Sequence, residues 1–130
     1  MPHLKEIAKF ENENDVRFPK DYTDFLININ AIEVEENRFS NNDRIVEIDM
    51  FYPFDANHEL SFQRTFSNLH VDLLERKYIS FGRDEGGWQF VLSVQKIDYG
   101  KVYLCRYDEA LEDGLTFLSE TFKSFINGLH

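Results

Sequence analysis

Apolar and polar positions alternate with period two from Tyr78 to Tyr107, and two short breaks interrupt the alternation. Ile79 and Phe81 alternate with Ser80 and Gly82 before Arg83-Asp84-Glu85-Gly86-Gly87. Trp88, Phe90, Leu92 and Val94 then alternate with Gln89, Val91, Ser93 and Gln95. After Asp98-Tyr99-Gly100, Val102, Leu104 and Arg106 face oppositely to Tyr103, Cys105 and Tyr107. Alternation bounded by glycine-bearing turns predicts an antiparallel meander, with glycine supplying the positive φ that tight turns need.

Elsewhere the period changes. Leu4, Ile7 and Ala8 share one helical face, with Phe10 beside it, which predicts a short amphipathic helix over about 4–11 and a polar loop at Asn12–Asp15. Tyr22, Phe25, Leu26 and Ile29 recur at helical spacing behind Phe18-Pro19-Lys20-Asp21, with proline and an acid where a first turn tolerates them. Asn30 is a stop for that helix. Ser40-Asn41-Asn42-Asp43 is a turn cluster before Arg44–Tyr52. There Val46, Ile48 and Met50 oppose Ile45, Glu47, Asp49 and Phe51, the pattern of a hairpin strand with one wet face, ended by Pro53. Phe62, Phe66, Leu69 and Leu73 predict a helix within Asp55–Lys77. Asp108–Gly114 reads as an acidic connection. Ser119 then offers an N-cap to a last stripe of Phe122, Phe125, Ile126 and Leu129. This order predicts one α+β domain over 1–130, with helices packed around a central, mainly antiparallel, twisted sheet.

Composition adds an aromatic core, with 13 Phe and 6 Tyr against one Trp, in a chain long enough to bury roughly two thirds of its extended surface. The lone cysteine, Cys105, lies in a strand pattern and reads as a buried thiol. No disulfide framework, signal-like N-terminus or membrane-length apolar run is visible, so a soluble, cytoplasmic protein is expected. The formal net charge of −10 opposes direct binding to nucleic acid or an anionic membrane and favours a basic partner.

Catalytic patterns are not found. Gly86-Gly87 lacks the lysine of a phosphate loop and follows two acids. No His-Glu-x-x-His, paired cysteine or Gly-x-Ser-x-Gly occurs, so no enzyme activity, metal or cofactor is expected. What remains is an interaction surface. Asp84, Glu85, Trp88, Asp98 and Tyr99 flank the meander's two turns, and Glu33, Glu35 and Glu36 form a second acidic candidate.

Four of these segments together resemble the SUKH superfamily (Smi/Knr-like domain). They are Phe18-Pro19-Lys20-Asp21-Tyr22 with Phe25-Leu26 and Asn30, Ile79–Gly87, Gly100-Lys101-Val102-Tyr103, and Thr121–Ile126. The sequence departs from the family pattern at Ala31, Phe18 and Trp88. The resemblance implies an α+β fold without catalytic residues. For a short chain it implies an immunity protein that binds and neutralises a cognate polymorphic toxin, and together with the acidic charge it points to a basic nuclease. The alternative it implies is a protein-interaction scaffold or regulator of cell-envelope synthesis.

Overall fold

The computed structural model describes residues 4–28, 36–41, 44–52, 54, 78–106 and 114–130. The meander forms as its pattern requires. Strands β4 (Tyr78–Arg83), β5 (Gln89–Ser93) and β6 (Val102–Cys105) pair antiparallel in sequence order. Two strands flank them, β3 (Met50–Phe51) beside β4 and β7 (Leu115–Ser119) beside β6, giving the order β3-β4-β5-β6-β7. Gly87 and Gly100 adopt φ of 93° and 85° in the two turns, conformations that cost other residues energy.

Three further features position this sheet. The register shifts between Ser80 and Gly82, a bulge that leaves Phe81 as the extra residue. Phe81 packs edge-on against Phe122, at 5.1 Å and 89°. A separate hairpin, β1 (Arg38–Asn41) with β2 (Arg44–Glu47), is tied to the C-terminus by Arg38 N to His130 O at 3.1 Å and His130 N to Arg38 O at 2.8 Å. Its Asn41 Nδ2 donates to Phe117 O of β7 at 2.6 Å.

Helices α1 (Leu4–Asn14), α2 (Lys20–Asn28) and α3 (Phe122–Asn127) share one core with the sheet. Ile7 and Phe10 are buried on α1, Tyr22 and Leu26 on α2, and Phe122 and Phe125 on α3. Tyr22 and Phe25 meet Phe122 at centroid distances of 5.0 and 5.1 Å, so α2 and α3 are joined by ring edges and faces. Asp21 strengthens the joint by accepting the Lys123 N–H at 2.9 Å. The sheet's other face is also buried around Tyr78, Val91 and Cys105, and it carries the polar side chains of Ser80, Gln89 and Ser93.

Several expectations are corrected. Helix α1 continues past Glu11 to Asn14 and stops where Asp15 takes a left-handed φ of 55°, which aspartate tolerates better than most residues. The predicted continuous strand Arg44–Tyr52 breaks at Ile48-Asp49. The Ile48 N–H turns to Asn37 O and the Asp49 N–H to Arg83 O, so the chain leaves the hairpin and joins the main sheet. Leu115–Ser119 is a strand, and Ser119 ends it; the cap of α3 is Thr121, whose Oγ1 accepts the Ser124 N–H at 3.0 Å. The helix expected within Asp55–Lys77 lies outside the described residues.

Candidate functional site

Antiparallel pairing puts the two turns of the meander at opposite ends of β5. The candidates that flank them therefore separate into two groups. Asp84, Glu85 and Trp88 lie at one end, and Asp98 and Tyr99 at the other. Glu36 is exposed just before β1, and Glu33 and Glu35 lie outside the described residues.

The turn at Asp84–Trp88 is tightly built. Asp84 N donates to Trp88 O at 2.9 Å, Trp88 N donates to Asp84 Oδ1 at 2.8 Å, and Gly87 N donates to Asp84 O at 3.1 Å. Asp84 is thus held as a turn residue, and Glu85 and Trp88 project from a fixed backbone. The turn forms one wall of a groove of about 440 Å3. Strand β2 adds Ile45, Val46 and Glu47 to the lining, β6 adds Leu104, and Arg106 follows just past the end of β6.

The groove mixes two chemistries. Ile45 is 60% exposed and Trp88 37% exposed, large apolar side chains left at the surface. Glu47, Asp84 and Glu85 line the groove with three carboxylates, and Arg106 lines it with a guanidinium. Arg106 lies over the Trp88 ring at 5.7 Å from its centroid, a cation–π arrangement. Glu47 is bridged by Arg38 Nε at 3.1 Å, an exposed pair of small energetic weight. Exposed apolar side chains beside charged ones make this groove the candidate contact surface.

The far turn is organised inward. The Asp98 carboxylate accepts from Ser93 Oγ and, at 2.7 Å, from the Tyr103 hydroxyl. Lys101 N donates to Asp98 O at 3.0 Å, closing the turn. The Tyr103 phenol is held well above its usual range, first by burial and then by its hydrogen bond to the Asp98 carboxylate and that group's charge. The Tyr78 phenol is raised by burial and then by the Asp98 charge, and it meets Tyr103 edge-on at 5.7 Å. Tyr99 donates its hydroxyl to Arg17 O at 2.7 Å, fixing the turn to the link between α1 and α2. Burial, followed by the charges of Glu11 and Asp21, raises the Tyr99 phenol.

A second polar cluster lies on the buried back face. Tyr52 OH, at 2.7 Å, and Ser80 Oγ both donate to Gln89 Oε1, and Gln89 Nε2 donates to Gly87 O at 2.9 Å. Those bonds engage both ends of the amide and tie the Trp88 turn to the sheet. Burial pushes the Cys105 thiol up to about 11, away from nucleophilic reactivity near neutral pH. Among the described residues no group of three or more His, Cys, Asp or Glu side chains could hold a metal ion. No helix among them is long and apolar enough to cross a membrane.

Sequence reasoning found one wall of the groove. It placed Ile45 and Glu47 on the wet face of their strand without joining them to Asp84, Glu85 and Trp88. The available signals were an isoleucine on a wet face and an arginine, Arg106, on the apolar face of its strand.

The fold and groove together define a small α+β domain whose sheet carries an acidic, aromatic-edged groove at one end. The model of the SMI1/KNR4 family (SUKH-1) matches residues 1–128, and the chain belongs to that family, as the four motifs indicated. No curated protein matches the chain.

Proposed function

We propose that this protein is a non-catalytic immunity protein that binds and neutralises a cognate toxin, a basic domain of nuclease type, in the cytoplasm of the cell that makes it. The observation that carries this reading is the groove. In a SUKH chain of net charge −10, it joins exposed Trp88 and Ile45 to the carboxylates of Glu47, Asp84 and Glu85. A desolvated aromatic anchor contributes affinity, and a surrounding acidic field speeds the encounter with a basic partner. The contact surface in this reading contains Asp84, Glu85 and Trp88. Asp98 and Tyr99 secure the opposite turn, since their polar atoms already bond within the chain.

The test is co-expression with the toxin encoded beside the protein's own gene. Growth rescue and a co-purifying complex are expected. Continued killing with no complex would sink the immunity reading. Recovery of envelope-synthesis proteins in a pull-down, with no toxin, would replace it with a scaffold role.

A further inference from the structure

The groove already contains a ligand of its own kind. The Arg106 guanidinium lies on the Trp88 ring, with three carboxylates lining the same groove. A planar cation on an indole face beside acids is a stable arrangement, and guanidinium suits it better than ammonium because it stacks and is less strongly hydrated. With Arg38 bridging Glu47, the carboxylates of Glu47, Asp84 and Glu85 still outnumber the two guanidinium groups of Arg38 and Arg106 by one charge, so the groove favours a further cation. Ile45, 60% exposed on β2 in the same lining, offers apolar surface to the stem of a long basic side chain.

We propose that this groove is the seat for an arginine presented on a basic segment of the partner protein, and that Arg106 competes for that seat in the free protein. The incoming guanidinium packs on Trp88 and pairs with Glu85 and with Glu47, where it competes with the exposed Arg38, and its methylenes lie along Ile45. The groove's preference for arginine follows from its own residues; only the segment's origin in a toxin rests on the immunity reading.

Trp88 is the sole tryptophan of the chain, so its fluorescence reports on this groove alone. The experiment titrates the protein with three model peptides of equal length, rich in arginine, lysine or glutamate. The arginine peptide should change Trp88 emission saturably, bind more tightly than the lysine peptide and weaken with added salt, while the glutamate peptide gives no change. Glu85→Lys and Glu47→Lys should each weaken the arginine peptide about tenfold. Glu13→Lys, an equal charge change on exposed α1, should leave it within about twofold. Arg106→Gln should tighten binding several-fold, whereas a purely structural role for Arg106 would weaken it.

An unchanged Trp88 emission, equal losses from Glu13→Lys and Glu85→Lys, lysine binding as tight as arginine, or weakening by Arg106→Gln would each overturn the proposal. A toxin complex insensitive to Glu85→Lys and Trp88→Ala would overturn it while leaving the immunity role intact. Groove-dependent arginine binding without toxin protection would do the reverse.

Discussion

At the scale of single residues, Asp98 shows how an acidic turn residue can belong to the fold. Ser93 is fully buried, and its hydroxyl donates to the Asp98 carboxylate, which also accepts from Tyr103. Asp98→Ala removes a charged acceptor and leaves the hydroxyl protons of buried Ser93 and of Tyr103 without it, while Ser93 Oγ still accepts the Gln95 N–H, a loss of about 2–3 kcal/mol. Urea unfolding should show that loss, while arginine-peptide binding at the far end of β5 stays within about twofold, because distant sites are close to independent. Burial also sets the response to alkali. The phenols of Tyr22, Tyr78 and Tyr103 are all raised, Tyr22 by burial alone, and the Cys105 thiol moves from 9.0 to about 11. Folding therefore opposes ionisation at each of these groups. Their contribution is complete below the unfolded values. It is lost as pH rises, because the unfolded chain then holds fewer protons than the folded one. Urea midpoints should stay flat through neutrality and fall from about pH 9 upward, with Cys105 first and the tyrosines following above about 10. Cys105→Ala should remove the earliest part of the fall. A midpoint that rises over this range would contradict the burial argument.

Among the elements, the shortest strand gives the sharpest test. Strand β3 pairs Met50 with Arg83 and Phe51 with Gly82. A Cβ on Gly82 would stand 2.5 Å from Met50 O and 2.8 Å from Ile48 Cδ1. The carbonyl is backbone, so relief requires β3 to move away from β4. Gly82→Ala should cost about 2–3 kcal/mol through this overpacking, read as a lower urea midpoint and faster amide exchange at Tyr52, whose N–H donates to Phe81 O. The role of Gly82 is a close strand approach, which a sequence does not distinguish from a turn signal. Gly87 and Gly100 were legible because each follows an alternating run and supplies a positive φ. Strand β7 was not legible. In Leu115-Thr116-Phe117-Leu118-Ser119 two apolar residues are adjacent, and the run leads directly into a helical stripe, so alternation is lost. The break at Ile48-Asp49 was hidden for the opposite reason, since Val46, Ile48 and Met50 keep alternating while the backbone changes partner. The groove was half legible. Asp84, Glu85 and Trp88 are neighbours in sequence, but Ile45, Glu47 and Arg106 join them only through tertiary pairing.

For the whole molecule, charge and contact surface should separate in kinetics. The net charge of −10 comes from 24 acidic against 14 basic residues. In the proposed complex, most of this field acts before docking, because charges outside the groove attract a basic domain without touching it. Exposed charges are screened over about 8 Å at physiological salt, so added salt shortens the reach of the field and leaves short contacts comparatively intact. With the toxin as partner, raising salt from about 50 to about 500 mM should slow association about tenfold or more and change dissociation by less than about threefold. Trp88→Ala should do the opposite. It removes apolar area and a ring surface at the contact and leaves the net charge unchanged, so dissociation should accelerate while association holds. Glu85→Lys should affect both rates, since Glu85 contributes to the field and to the groove. Stopped-flow association and chase-dissociation measurements on the wild type and these two variants separate the contributions. If salt acted mainly on dissociation, ion pairs buried in the contact would hold the complex. If Trp88→Ala altered neither rate, the partner would be held by a surface other than the groove between β2 and the β4–β5 turn.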